Sequence, residues 1–470
     1  MDELLARLGG LGPLFFALPE VTTELMEGIP ILTSVDPPPT SDEWARFVFH
    51  ARRVRELHLL GTSWCFDDVH TERAFLDILR DHYPGQVLPH LRELDVDLDQ
   101  YTALRAERFL QSSLVTLRAK TARSLEDNVA FVTRLADISD LQHIQLWYEH
   151  YDGPGCVALA KEVSTTVQAL HGLRALDGGY HCLSIDALAH LSGLPSFVTL
   201  SLGTTSDNIS TPESLLSGKF ACLTTLCVEF TPGTSPAEWA PFLRAFSSAP
   251  IHTLRLAVKD EVLEEDTSPS ELLPLLGALG AFPSLHVLEL DIDVYLDAEL
   301  WSGSFLDSTA LEPLFRVHTI KDLTFLGAPL SFAPPFMRAA ADAWPALEVL
   351  RLHSDRNCEA PPETCVPLAD LALLAVGCPH LALVDVALAP VPADWTWEEL
   401  PGVPASRARR VVLAYTEIAP EAAPAVAAFL DRYFPEAALE QDGDGGLRVE
   451  VLRVGETLQR IQQLRKAPSK

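Results

Sequence analysis

The sequence predicts an α/β solenoid, with parallel strands along one wall and helices along the other. Three observations predict it. A hexamer of the form apolar-x-x-apolar-x-apolar recurs along most of the chain, helical periodicity fills the stretches between copies, and a proline often stands just before the next copy.

The hexamer comes first. It reads VRELHL (54–59), LRELDV (91–96), LVTLRA (114–119), LQHIQL (141–146), LRALDG (173–178), FVTLSL (197–202) and LTTLCV (223–228). It continues as IHTLRL (251–256), LHVLEL (285–290), IKDLTF (320–325), LEVLRL (347–352), LALVDV (381–386) and ARRVVL (408–413). The thirteen copies start on average about 29.5 residues apart. Two are weak, since LRALDG ends in Gly178 and ARRVVL begins with Ala408. The last two apolar positions of each copy are two apart, which is strand periodicity, so both face one way and the residue between them faces the other. Leu288 and Leu290 are such a pair, with Glu289 pointing away.

Between copies the pattern turns helical. DDVHTERAFLDILRDHY (67–83) places Val69, Phe75, Leu76 and Leu79 on one face. SPAEWAPFLRAFSSA (235–249) begins with the capping box Ser235 and Glu238 and carries the stripe Trp239, Phe242, Leu243 and Phe246. FPSL (282–285), WPAL (344–347), CPHL (378–381) and LPHL (88–91) then close helices, because proline cannot continue them. Strand, loop, helix and turn make one unit. Stacked side by side, such units give a leucine-rich-repeat (RNI-like) horseshoe, strands on its concave face and helices on its convex face.

The ends differ from the middle. Residues 1–50 are expected to form a helical N-terminal cap, with Thr40 and Glu43 as a capping box ahead of Trp44, Phe47, Val48 and Ala51. Residues 51–415 hold the repeats. Residues 416–470 are expected to form a C-terminal cap: a helix over 420–434, a short strand near 437–440, a turn at DGDGG (442–446) leading into LRVEVL (447–452), and a last helix over 456–466.

Composition bounds the function. At 470 residues the chain exceeds the roughly 250–300 at which one compact core stops growing, a limit that a repeat array escapes. Apolar residues make up 48%, too many for a disordered chain. The formal charge of −30 argues against nucleic acid or an anionic membrane as the main partner, since both require a basic face. The eight cysteines form no C-x-x-C pair, and the N-terminus lacks the basic start of a signal peptide, so a cytoplasmic or nuclear protein is expected.

No phosphate-cradling glycine loop, H-E-x-x-H or G-x-S-x-G is present, so neither catalysis nor a cofactor is expected. Asp95, Asp97 and Asp99 have calcium-loop spacing, but Gln100 and Ala106 stand where glycine and glutamate are required. The reading that remains is a long concave wall that binds a protein target. Its outward positions include Glu56, His58, Glu93, Asp95 and Asp97, and hydrophobic side chains are expected to be rare on it. The candidate binding residues are Arg118, Lys120, Gln145, Trp147, Glu229, Arg255, Glu289, Asp291, Arg351 and His353. Trp147 heads the group because it opens the aromatic run WYEHY (147–151) and because Trp and Arg dominate interface hot spots.

Three segments also resemble the fungal F-box/leucine-rich-repeat proteins: SDEWARFVFHARRVRELHL (41–59), LGGLGPLFFALP (8–19) and VAAFLDRYFPEAALE (426–440). The resemblance implies a substrate-recognition subunit of a cullin ubiquitin ligase, whose F-box docks a Skp-type adaptor and whose repeats hold the target. The F-box would precede residue 8. LPEVTTELMEGIPIL (18–32) is similar to its opening but meets Pro30 and PPP (37–39), so the chain is expected to lack the box. The alternative is a leucine-rich-repeat regulator of a small GTPase, with Arg118, Arg255 and Arg351 as candidates by residue type.

Overall fold

The computed structural model describes residues 6–8, 11, 14, 22–26, 29–34, 40–59, 76–81, 83, 85–98, 106–122, 124–147, 154–204, 219–230, 236–259, 269–293, 306–327, 330–331, 335–353, 365–386, 388–397, 406–413, 416–440 and 449–466. Two compact units divide the chain. One holds residues 1–208 and 219–223, the other 209–218 and 224–470.

The first unit carries the parallel strands Arg7–Leu8, Glu56–Leu59, Glu93–Asp97, Thr116–Lys120, His143–Trp147, Ala175–Cys182 and Thr199–Gly203, each paired with the next. The second carries Thr225–Phe230, Thr253–Lys259, Val287–Asp293, Asp322–Leu326, Val349–His353, Leu383–Val386, Arg410–Val412 and Ala438–Glu440, paired in the same way. Parallel neighbours require crossovers, and helices supply most of them. The first unit uses Leu125–Leu135, Pro154–Ala169 and Ile185–Ser192; the second uses Pro236–Arg244, Leu273–Leu279, Pro335–Ala343, Leu371–Gly377 and Ala423–Tyr433. The chain folds as an α/β leucine-rich-repeat solenoid.

Backbone hydrogen bonds explain why the hexamer has its spacing. Positions 1 and 4 are three apart, so simple strand alternation would place them on opposite faces. In eleven of the thirteen rungs, however, the N–H groups of positions 2 and 3 both donate to one carbonyl of the previous rung. Arg92 and Glu93 both donate to Arg55 O, at 2.7 and 3.0 Å, and His286 and Val287 both donate to His252 O, at 2.8 and 2.9 Å. That doubled contact acts as a bulge and resets the alternation, so positions 1, 4 and 6 all turn inward. Their side chains are at most 4% exposed in every copy. The prolines ahead of the strands occupy tight turns: Leu91 N–H donates to Leu88 O at 3.0 Å across Pro89, and Leu347 N–H to Trp344 O at 3.0 Å across Pro345.

Buried polar groups tie rungs to helices. Asn128 donates from Nδ2 to Ala122 O and accepts from Ala122 N–H, both at 2.7 Å, fastening a helix to the strand before it. Thr166 Oγ1 donates to Val132 O at 3.1 Å between consecutive helices, and Trp344 Nε1 to Leu314 O at 3.2 Å. Cys378 is buried against the backbone of Trp344, and burial pushes its thiol pKa up to about 12, so it stays protonated. The stripe Trp239, Phe242, Leu243 and Phe246 is fully buried, with Trp239 stacked on Phe230 at 4.1 Å. Ser235 and the first part of helix 67–83 lie outside the described residues.

Two expectations are corrected. The N-terminal cap is not helical throughout: Thr22–Met26 and Ile29–Ser34 form an antiparallel hairpin, and Arg7–Leu8 adds a strand to the first repeat strand. The helix that follows, Ser41–Ala51, does start at Thr40, whose N–H donates to Glu43 Oε2 at 2.6 Å. At the other end, the last helix starts earlier than the expected residue 456: the described residues of LRVEVL already belong to the helix Val449–Lys466. Val451, Val454 and Leu458 are buried at helical spacing, and Gln462 Nε2 donates to Pro435 O at 3.1 Å, so docking decides the conformation over the local alternation.

Candidate functional site

Because positions 1, 4 and 6 face inward, positions 3 and 5 line the opposite face of the sheet, half-buried or exposed on most strands and buried at Asp95, Thr324, Leu383, Asp385 and Val412. In the first unit, position 5 forms the row His58, Asp95, Arg118, Gln145, Asp177 and Ser201. Position 3 forms Glu56, Glu93, Thr116, His143, Ala175 and Thr199. Asp97, Lys120 and Trp147 make a third, shorter row. Parallel strands lie roughly 4.8 Å apart, so neighbours within a row touch.

These side chains are wired together. Arg118 Nη1 donates to Glu93 Oε1 at 2.5 Å and to Asp95 Oδ1 at 3.1 Å, while His58 Nδ1 meets Asp95 Oδ2 at 2.5 Å. Arg7 pairs with Glu56 at 2.6 Å, Lys120 with Asp97 at 3.6 Å, and Gln145 Nε2 donates to Asp177 Oδ2 at 2.9 Å. Burial alone would lower the Arg118 pKa, but the hydrogen bond to Glu93 and the charges of Asp95 and Glu93 outweigh it and raise the pKa. His143 is held below its ordinary value by burial first, then by the nearby cations Arg174 and Arg118.

Two acids of this face are not solvated. Asp95 and Asp97 are only 5% and 6% exposed, because the longer side chains of neighbouring strands lie over them. Trp147 stands at the end of its row and is 37% exposed. Its carbonyl accepts from Thr121 N–H at 2.8 Å and Thr121 Oγ1 at 2.9 Å, which fixes the strand end beneath the indole. The rest of WYEHY lies outside the described residues.

In the second unit, position 5 forms Cys227, Arg255, Glu289, Thr324, Arg351, Asp385 and Val412. Position 3 forms Thr225, Thr253, Val287, Asp322, Val349, Leu383 and Arg410. Glu229, Ala257, Asp291, Leu326 and His353 continue a third row, with the side chain of His353 outside the description. Arg255 Nε pairs with Glu289 Oε2 at 3.1 Å. Val287, Val349, Leu383 and Val412 correct the expectation that hydrophobic side chains are rare on this face.

The structure therefore brings Arg118, Lys120, Gln145 and Trp147 onto adjacent strands of the first unit, and Arg255, Glu289 and Asp291 onto adjacent strands of the second. Arg351 lies two strands beyond Glu289, and Glu229 lies opposite Ala257. Sequence reasoning missed that His58, Glu93 and Asp95 join Arg118 in one cluster. The signal was there, since position 3 or 5 of consecutive hexamers must be adjacent. Among the described residues, no group of three or more His, Cys, Asp or Glu is placed to hold a metal ion, and no helix is long and apolar enough to cross a membrane.

No family model matches the chain, and no curated protein matches it. Among solved structures it is similar to the leucine-rich repeat-containing protein LegL7 from Legionella pneumophila, at 14% identity and a TM-score of 0.34, over 68% of this chain and 96% of that one.

Proposed function

We propose that this protein is a recognition scaffold that holds a protein partner against its open strand face. One observation carries the reading: the inward positions repeat strictly, while the outward ones form rows, within each unit, of varied charged, polar, apolar and aromatic side chains. Such a surface provides many contacts on a rigid backbone, as protein recognition requires.

The resemblance of residues 41–59 and 426–440 to F-box proteins supports a finer form of the proposal, in which the partner is the target of a cullin ubiquitin ligase. The GTPase-regulator reading has less support, because it calls for an arginine on a loop, and Arg118, Arg255 and Arg351 all lie within strands.

Quantitative affinity capture tests the proposal. Trp147→Ala should release a captured protein that Ser247→Ala, on the helix side, retains. Truncating a central hot-spot residue costs on the order of 2 kcal/mol, about thirtyfold in affinity. Equal capture by all three proteins would contradict the proposal. Recovery of a Skp-type adaptor alongside the target supports the ligase form, and its absence from captures made with the complete gene product would remove that form alone.

A further inference from the structure

We infer that His252 and His286, at one end of the strands of the second unit, form a two-histidine site for a divalent transition-metal ion such as Zn2+. The two residues are far apart in the sequence, and the stacking of rungs brings them together. Each is position 2 of its hexamer. His252 N–H donates to Thr224 O, His286 N–H to His252 O and Lys321 N–H to His286 O, each at 2.8 Å. Thr224, His252, His286 and Lys321 therefore stand in line just ahead of four consecutive strands, on backbone that the ladder holds in place.

The side chains meet at a chelating distance. The ring centroids of His252 and His286 are 4.9 Å apart, and the rings are tilted by 57° instead of lying face to face. Two imidazoles that bind one ion at about 2.0–2.1 Å, with an angle of roughly 90–110° between them, hold their centroids roughly 4.5–5.2 Å apart. The last torsion of a histidine side chain is soft, so a small turn of each ring aims one nitrogen at the same point without moving the backbone. His252 is exposed and His286 half-buried, so an ion reaches the pair from solvent and keeps waters in its remaining positions.

The donors choose the ion. Imidazole suits zinc, copper and nickel, whereas magnesium and calcium require several oxygen ligands. A ligating imidazole must be neutral, and burial, then His252 and Lys321, hold the pKa of His286 below its ordinary value. Lys321, the cation on the next strand, is paired with Glu348 Oε1 at 3.3 Å, which offsets its repulsion of a bound ion. Two protein ligands fall short of the three or four of a catalytic or structural zinc centre, so the pair takes up and releases its ion readily.

Protection of histidines from diethyl pyrocarbonate, read peptide by peptide in the full chain, tests the inference. Zinc chloride in molar excess should protect His252 and His286 together and leave His380, exposed on the turn before the strand Leu383–Val386, at its metal-free rate. Removing one ligand ends chelation, so in His286→Ala the zinc concentration that half-protects His252 should rise roughly tenfold or more. Magnesium chloride should protect neither histidine. The variant should keep the parent's far-ultraviolet circular dichroism, because His286 is only half-buried. Equal protection of His380, protection of His252 undiminished in His286→Ala, or no protection of the pair in the parent would overturn the inference.

Discussion

The open faces of the two units share one backbone geometry and carry different chemistry. In the first unit, ion pairs and hydrogen bonds run from strand to strand: Arg7 to Glu56, His58 to Asp95, Asp95 and Glu93 to Arg118, Asp97 to Lys120, Gln145 to Asp177. In the second, Val287, Val349, Leu383 and Val412 interrupt the polar rows, and the exposed pair Arg255 and Glu289 stands near the apolar Val287. The difference shows how the repeat divides its labour. Positions 1, 4 and 6 answer only to burial, so they read alike in both units. Positions 3 and 5 answer to neighbours across the sheet and to a partner, so they are free to differ.

The sharpest way to break that division is to exchange its two kinds of position. Leu288→Ala removes a fully buried side chain and should cost about 2–5 kcal/mol. Glu289→Ala, one residue on, should cost less than about 1 kcal/mol, as most exposed substitutions do. A denaturant titration of both, followed by a probe in the second unit, gives the ratio. Equal losses would show that the inward and outward positions have been assigned wrongly.

A smaller effect compares the charge networks directly. Arg118→Gln leaves Asp95, with a side chain only 7% exposed, beside Glu93 without its cation. A fully buried pair broken in this way costs about 3–5 kcal/mol; Arg118 is itself 36% exposed, so a loss of about 1–2 kcal/mol is expected. Arg255→Gln breaks a pair whose partners are 58% and 38% exposed and should cost less than about 1 kcal/mol. Hydrogen exchange at the amides of Thr116–Lys120 and Thr253–Lys259 reads the two separately. Should Arg255→Gln open its strand more than Arg118→Gln does, the contrast between the faces fails.

The smallest effect is a pH dependence. The folded pKa of His143 lies below the unfolded value of 6.5, through burial and the charges of Arg174 and Arg118. Between those two values the unfolded state binds more protons, so stability rises with pH across that window. The contribution is complete above 6.5 and is lost as pH falls toward the folded pKa. His143→Gln should flatten this part of the profile for the strand His143–Trp147. An unchanged slope would mean that the imidazole keeps its water.

Much of the fold was legible because burial is periodic. Each of the thirteen hexamers coincides with a sheet strand, even the weak LRALDG and ARRVVL, since Leu176 and Val411 still fill position 4. The two outermost strands were harder. Arg7–Leu8 is too short to show a period, whereas Ala438–Glu440 was legible as an extension after the helix that ends at Tyr433. The early start of the last helix was not legible in LRVEVL, because an alternating run fits a helix only when a neighbour buries Val451, Val454 and Leu458. Of the candidate site, the register of Arg118, Gln145, Glu289 and Arg351 could be read from the hexamers. The burial of Asp95 and Asp97 could not, because it depends on how far Arg118, His58 and Lys120 reach across from adjacent strands.

The central claim is that adjacent residues at positions 5 and 6 look in opposite directions throughout the array. Single cysteines at Gln145, Leu146, Glu289 and Leu290, each alkylated under native conditions and read peptide by peptide, test it most directly. The cysteines replacing Gln145 and Glu289 should react within a few fold of the unfolded rate, while those replacing Leu146 and Leu290 should be protected by orders of magnitude. Comparable rates at 145 and 146, or at 289 and 290, would contradict the arrangement.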